Sequence, residues 1–226
     1  MLDINRVKNE IFNFINEFKS LVDLEKLWIA LTCREFCRYK FSVYYFGREV
    51  SKYLDALRKF IREKLGPLLG VEISSLDQDI IINNEKTSVR GLMMKMMIEY
   101  FKENKELADK LSRDVISKLP TLRDVSKKLI LALSKVSKFI NEGVIELVNS
   151  WIGDVIIRRM EEMFNQKFQD REVEIAIDEL VLKGFVMYCN YVVRDLEKFT
   201  IDVYNQYYLP PYLIHFWRNV EEYIKP

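Results

Sequence analysis

TLRDVSKKLILALSKVSKFINEGVIEL, residues 121–147, is the stretch on which the reading of this chain turns. It follows Pro120 and contains no proline. At 100° per residue, Leu122, Val125, Leu129, Ile130, Leu133, Val136, Ile140, Val144 and Leu147 gather on one side. Arg123, Lys127, Lys128, Lys135 and Lys138 fall within about 140° of arc on the other, with Asp124 and Leu131 as exceptions inside the basic arc. The spacing predicts one long helix from Thr121 to Asn149, bent or broken near Gly143, with one face packed and the other positive.

The same periodicity extends in both directions. Ile4, Val7, Ile11, Phe14, Ile15, Phe18 and Val22 lie at helical spacing behind Asp3, a candidate cap. Further helices are expected over Leu24–Arg38, Arg48–Leu65, Ser88–Asn104 and Lys105–Lys118, with Gly66-Pro67 as a stop. Residues 39–46 alternate like a strand, but their flanks favour helix. Towards the C-terminus, Ser150 and Asp170 are candidate caps for helices over Trp151–Phe168 and Arg171–Phe199. Val173, Ile177, Leu180, Val181, Phe185, Tyr188, Val192, Leu196 and Phe199 form the apolar stripe of the latter. A last short helix is expected to Ile224, beyond Pro210-Pro211.

Residues 68–84 have a different texture. Val71 and Ile73 suit one short strand and Ile80-Ile81-Ile82 another, with Asn83-Asn84 as a turn. The fold class expected is therefore all-α, a multi-helix, bundle-like domain with a short hairpin or extended loop near residues 70–84. We read one helical domain over 1–226, with a candidate internal boundary at 66–87.

Composition supports this. The 226 residues are 49% hydrophobic, with seven Gly and five Pro, which suits long helices and short turns. A net charge of +1 and 29 aromatic residues argue against disorder. No stretch reaches the roughly 18 apolar residues a membrane span needs, and Met1–Glu10 lacks the apolar core of a signal peptide. Cys33, Cys37 and Cys189 do not make a disulfide framework, so a cytoplasmic protein is expected.

The small net charge conceals sorting. Residues 66–85 carry four acids and no base, residues 86–138 carry 13 bases and six acids, and residues 139–226 carry nine bases and 15 acids. A basic arc is ordinarily a solvated surface. The sharper reading is a phosphate-tracking face, where each neutralised phosphate makes binding salt-dependent. Arg34, Arg38, Arg48 and Arg58 are candidate helpers. Leu107 to Leu119 also carries a weak helix-turn-helix pattern with Ser112-Arg113-Asp114 at the turn, although Pro120 ends its second helix early.

Site chemistry is sparse. His215 is the one histidine, which excludes all-histidine metal sites and His-Glu-x-x-His centres. Cys33, Cys37, Cys189 and His215 are better read as packed groups than as zinc ligands. Glycine-rich phosphate loops and Gly-x-Ser-x-Gly elbows are absent, and no cofactor is expected. Met93 and Met97 with Phe101 suit the core, or a groove for a partner helix. Seven of the twelve tyrosines lie between Tyr188 and Tyr223; Tyr204, Tyr207, Tyr208 and Tyr212 either close the core or form a partner surface.

The functional expectation is a non-enzymatic binding or adaptor protein, nucleic-acid-associated through the basic helix. The alternatives are a purely protein-binding subunit, with another protein or a second copy as partner, and a metal-dependent enzyme acting on phosphate esters. The last requires carboxylates from separate helices to converge.

Overall fold

Asp3 starts the first helix by accepting the backbone N–H groups of Asn5 and Arg6 at 3.1 and 3.2 Å. In this computed structural model, residues 3–18, 20–32, 43–136, 147–195 and 200–225 are described. The chain divides into two compact units, Met1–Glu103 and Asn104–Pro226. The segment 66–87 lies within the first.

The first unit holds α1 (Ile4–Asn16), α2 (Leu21–Thr32), α3 (Val43–Phe60), a π-helical turn Ile61–Leu65, α4 (Gly66–Leu69), β1 (Asp79–Ile82), β2 (Glu85–Ser88) and α5 (Val89–Glu103). The expected helix through Val22 is two helices. Ser20 caps the second by accepting the Asp23 N–H at 3.0 Å, and Val22 ends up 53% exposed. Gly66-Pro67 does not stop the third helix. Proline withholds its N–H and crowds the carbonyl one turn back, and here the backbone widens, with the Gly66 N–H reaching Ile61 O. The stop comes at Gly70, left-handed at φ +67°.

The hairpin forms, shifted from the expected pairing. Val71 and Ile73 lie outside it, and Ile80-Ile81-Ile82 pairs with Glu85–Thr87. Asn83 and Asn84 hold φ of 51° and 66°, as a type I′ turn requires. Ile80 and Ile82 are buried while Ile81 is 74% exposed, the alternation of a one-sided ribbon. Beyond it α5 is buried on nearly every side, from Val89 and Leu92 through Met93, Met94, Met96, Met97, Ile98 and Tyr100 to Phe101.

Arg90 is the charged group at the centre of this unit. Its side chain is 8% exposed and grips Asp77 through both carboxylate oxygens at 2.7 and 3.2 Å. It also donates to the Leu31 carbonyl in the last turn of α2, where a helix leaves acceptors open. One guanidinium thus ties α5, the 71–78 loop and α2 together. Asp77→Ala removes a charge-assisted pair but not the remaining bonds. Because Asp77 is itself half solvated, the loss expected is about 1–2 kcal/mol, read as a lower denaturation midpoint at unchanged m-value.

The second unit runs α6 (Lys105–Ser117), a 3-10 turn Leu119–Thr121, α7 (Asp124–Val136), β3 (Leu147–Val148), α8 (Asn149–Phe164), α9 (Asp170–Lys183), β4 (Met187–Asp195), β5 (Thr200–Tyr208), a 3-10 turn Pro211–Leu213, α10 (Ile214–Arg218) and α11 (Val220–Tyr223). Continuous α6 replaces the helix-turn-helix pattern, because Ser112-Arg113-Asp114 stays helical. The described part of the long helix ends at Val136; Gly143 lies outside the described residues, and Leu147–Val148 is strand, so the helix does not reach Asn149.

The larger correction lies after α9. The helix expected to Phe199 ends at Lys183, where Gly184 takes φ +86° and the Phe185 N–H closes on Leu180 O at 2.9 Å. A nine-residue strand follows and pairs antiparallel with β5, from Met187↔Tyr208 to Asp195↔Thr200. The sheet order is β3-β5-β4. The fold remains mainly α-helical, with this small sheet added to the hairpin.

Candidate functional site

The basic helix is where the sequence places a function, so its surroundings decide what it can bind. Leu129, Ile130, Leu131, Ala132 and Leu133 are all buried, at 3% exposure or less. Five consecutive residues cover the whole circumference of a helix, so α7 has no solvent face over residues 129–133. Leu131, an exception in the basic arc, belongs to the core. The two-faced pattern holds in the first turns of α7, where it meets α8 and α9, and returns at Lys135, whose side chain is 44% exposed.

In those turns the cations meet carboxylates of the same unit. Glu179 of α9, 15% exposed at its side chain, accepts the Arg123 backbone N–H at 3.3 Å and its Nε at 3.2 Å. It also accepts the hydroxyl of Ser126, a side chain with no exposure. Arg123 spends its Nη2 on the Ile175 carbonyl at 2.8 Å. Burial pushes the Glu179 carboxyl up, but the Ser126 and Arg123 hydrogen bonds outweigh it and hold it below its ordinary value. A carboxylate at the first turn of α7 also suits the positive end of the helix dipole.

Lys128 bonds Asp124 at 2.7 Å and Gln166 at 2.8 Å, and its ammonium lies 5.5 and 5.8 Å from the rings of Phe164 and Phe168. Lys135 pairs with Glu221 at 2.5 Å. Among the described residues Lys127 reaches only the Pro120 carbonyl, at 3.5 Å. Arg58 lies in the other unit, exposed and 3.6 Å from Asp55. Lys138, Arg34 and Arg38, and the side chain of Arg48, lie outside the described residues. Three of the four described cations of the basic arc therefore already have a carboxylate. A polyanion would have to displace those partners, and the counterion-release gain shrinks accordingly.

The proposed partner residues are dispersed too. Met93 and Met97 are 1% and 0% exposed and pack the first unit, so they offer no open groove. Tyr212 is 2% exposed and Tyr207 is half-buried. The side chains of Tyr204 and Tyr208 lie outside the described residues.

An outward apolar pair appears on α9 instead. Ile175 and Leu182, one heptad apart, are 41% and 85% exposed, and the neighbouring Glu174 and Asp178 have no ion-pair partner among the described residues. The inner side of α9 buries Val173, Ala176 and Leu180. Ile175 and Leu182 fall off the stripe that the sequence assigns to the core of this helix, and that misfit was the available signal.

Among the described residues no group of three or more His, Cys, Asp or Glu side chains comes together, so a metal-dependent phosphate-ester site gains no geometry. No described helix is long and apolar enough to cross a membrane. Comparison with protein-family models, with curated proteins and with solved structures found no match.

Glu179→Gln keeps the shape but removes the charge, and a loss of about 1–2 kcal/mol at neutral pH is expected. Because the folded pKa of Glu179 is depressed, its contribution is present above its unfolded value near 4.5 and is lost as pH falls through the folded one. Denaturant titrations from about pH 6 to about pH 3 will show the wild type converging on the variant. A gap that persists through this range would overturn the assignment.

Proposed function

We propose that the chain is a non-enzymatic binding subunit whose contact surface is the outer face of α9, and whose partner is a basic amphipathic helix of another protein. The observation that carries this reading is Leu182, 85% exposed on a well-capped helix and in line with Ile175. Two aliphatic side chains at heptad spacing match the seam of a helix pair, and Glu174 and Asp178 would pair with flanking lysines or arginines. The same carboxylates repel a phosphate backbone. Nucleic acid is the less favoured reading because Arg123, Lys128 and Lys135 are already paired. We place the protein in the cytoplasm, where Cys33, Cys37 and Cys189 stay reduced.

Burying one leucine contributes about 1.5–3 kcal/mol and each rim ion pair less than about 1 kcal/mol, so the seam alone supports weak binding. Fluorescence anisotropy with a labelled helical peptide, Leu at heptad spacing flanked by Lys, tests it. The lysine peptide should bind and weaken with salt, and its glutamate counterpart should not. Leu182→Ser with Ile175→Ser should weaken binding by at least about tenfold. Equal binding of the two peptides, or indifference to the double variant, would refute the proposal. So would low-salt binding of duplex or single-stranded DNA that Lys127→Glu with Lys135→Glu abolishes, which would return the function to α7.

A further inference from the structure

A cleft of about 480 Å³ opens in the second unit between α6 and the α10–α11 pair. Its size lies within the range of about 300–1,000 Å³ common for small-molecule sites. Along α6 it is lined by Lys105, Asp109 and Arg113, successive turns that present positive, negative and positive charge at steps of about 6 Å. His215, Glu222 and Tyr223 lie on the other side. Tyr223 is 46% exposed, and its ring is set against Phe216 at 5.2 Å.

The charges line one gap, yet they do not close it. Among the described residues Lys105, Asp109, Arg113 and Glu222 have no ion-pair partner. Pairing is otherwise common in this unit: Asp114 holds Lys118 at 2.6 Å on the same helix, and Glu221, next to Glu222, holds Lys135. Both signs are thus displayed around one opening, and the i,i+4 spacing along α6 that would let them pair is not used for pairing here. A ligand with a single charge would leave half of them unanswered.

We propose that this cleft binds a small amino-carboxylate, a zwitterion whose carboxylate meets Arg113 and whose ammonium meets Asp109, with Lys105 and Glu222 flanking them. Guanidinium geometry suits a carboxylate in two-point contact, and an ammonium suits the acids as a compact charge. The Tyr223 ring supplies an apolar wall for the connecting carbons. This inference is independent of the outer face of α9, which contributes no residue to the cleft.

The test is a nitrogen-15 NMR titration of the full chain with 6-aminohexanoate, glycine, acetate and butylammonium in parallel. Binding of 6-aminohexanoate at least about tenfold tighter than either singly charged fragment is expected, with shifts confined to α6 and residues 214–223. Arg113→Gln and Asp109→Asn, both exposed, should each abolish the preference while leaving the rest of the spectrum unchanged. Acetate binding as well as the zwitterion would reduce the site to a simple anion contact. No shift with any of the four at millimolar concentration, or shifts that survive both variants, would overturn the proposal. None of these outcomes bears on the peptide assay.

Discussion

The second unit depends on a carboxylate taken mostly out of water. Glu179 is buried to a degree that would raise its pKa, so it must be answered by donors, and Ser126 and Arg123 answer it. That requirement fixes how α9 lies on α7. It consumes the first cation of the basic segment and decides which side of α9 is left outside. Glu179 lies one turn from Ile175 and from Leu182, so it marks the edge at which α9 passes from its packed side, Val173, Ala176 and Leu180, to its exposed one.

Arg90 imposes the same kind of constraint on the first unit. A guanidinium in the interior is tolerated where every direction of its fork finds an acceptor, and Asp77 with the α2 carbonyl supplies them. In both units a charged side chain joins elements distant in sequence. Such contacts add little net stability, because desolvation offsets most of the attraction. Removing one partner is nonetheless costly, because it leaves the other charge unanswered.

Charge sorting along the chain therefore does not by itself point to one function. An excess of bases in one segment and of acids in the next resembles a polyanion site, but it is also the pattern of a unit that pairs its own segments. Lys135 with Glu221, and Arg123 with Glu179, are pairs of this kind. Among the described residues of this unit, ion pairing passes over Lys127 on α7, Glu174 and Asp178 on α9 and the charges around the α6 cleft.

Local signals were enough for much of the helical framework. Asp3 is a cap with its own donors nearby, and Asn83-Asn84 accepts the positive φ that a tight turn needs, whereas the break at Ser20 was hidden by the apolar spacing that continues to Val22. The run after Gly184 was not settled by its own residues. Tyr188, Val192 and their neighbours fit a helical stripe as well as a strand, and β4 acquires its backbone partners only from β5. The solvent face of α7 was likewise undecidable locally, because whether Leu131 and the lysines meet water depends on α8, α9 and α11, and on where Glu179 and Glu221 arrive in space. Capping and turn formation act over a few bonds, whereas strand pairing, burial and charge neutralisation act between segments that only the folded chain brings together.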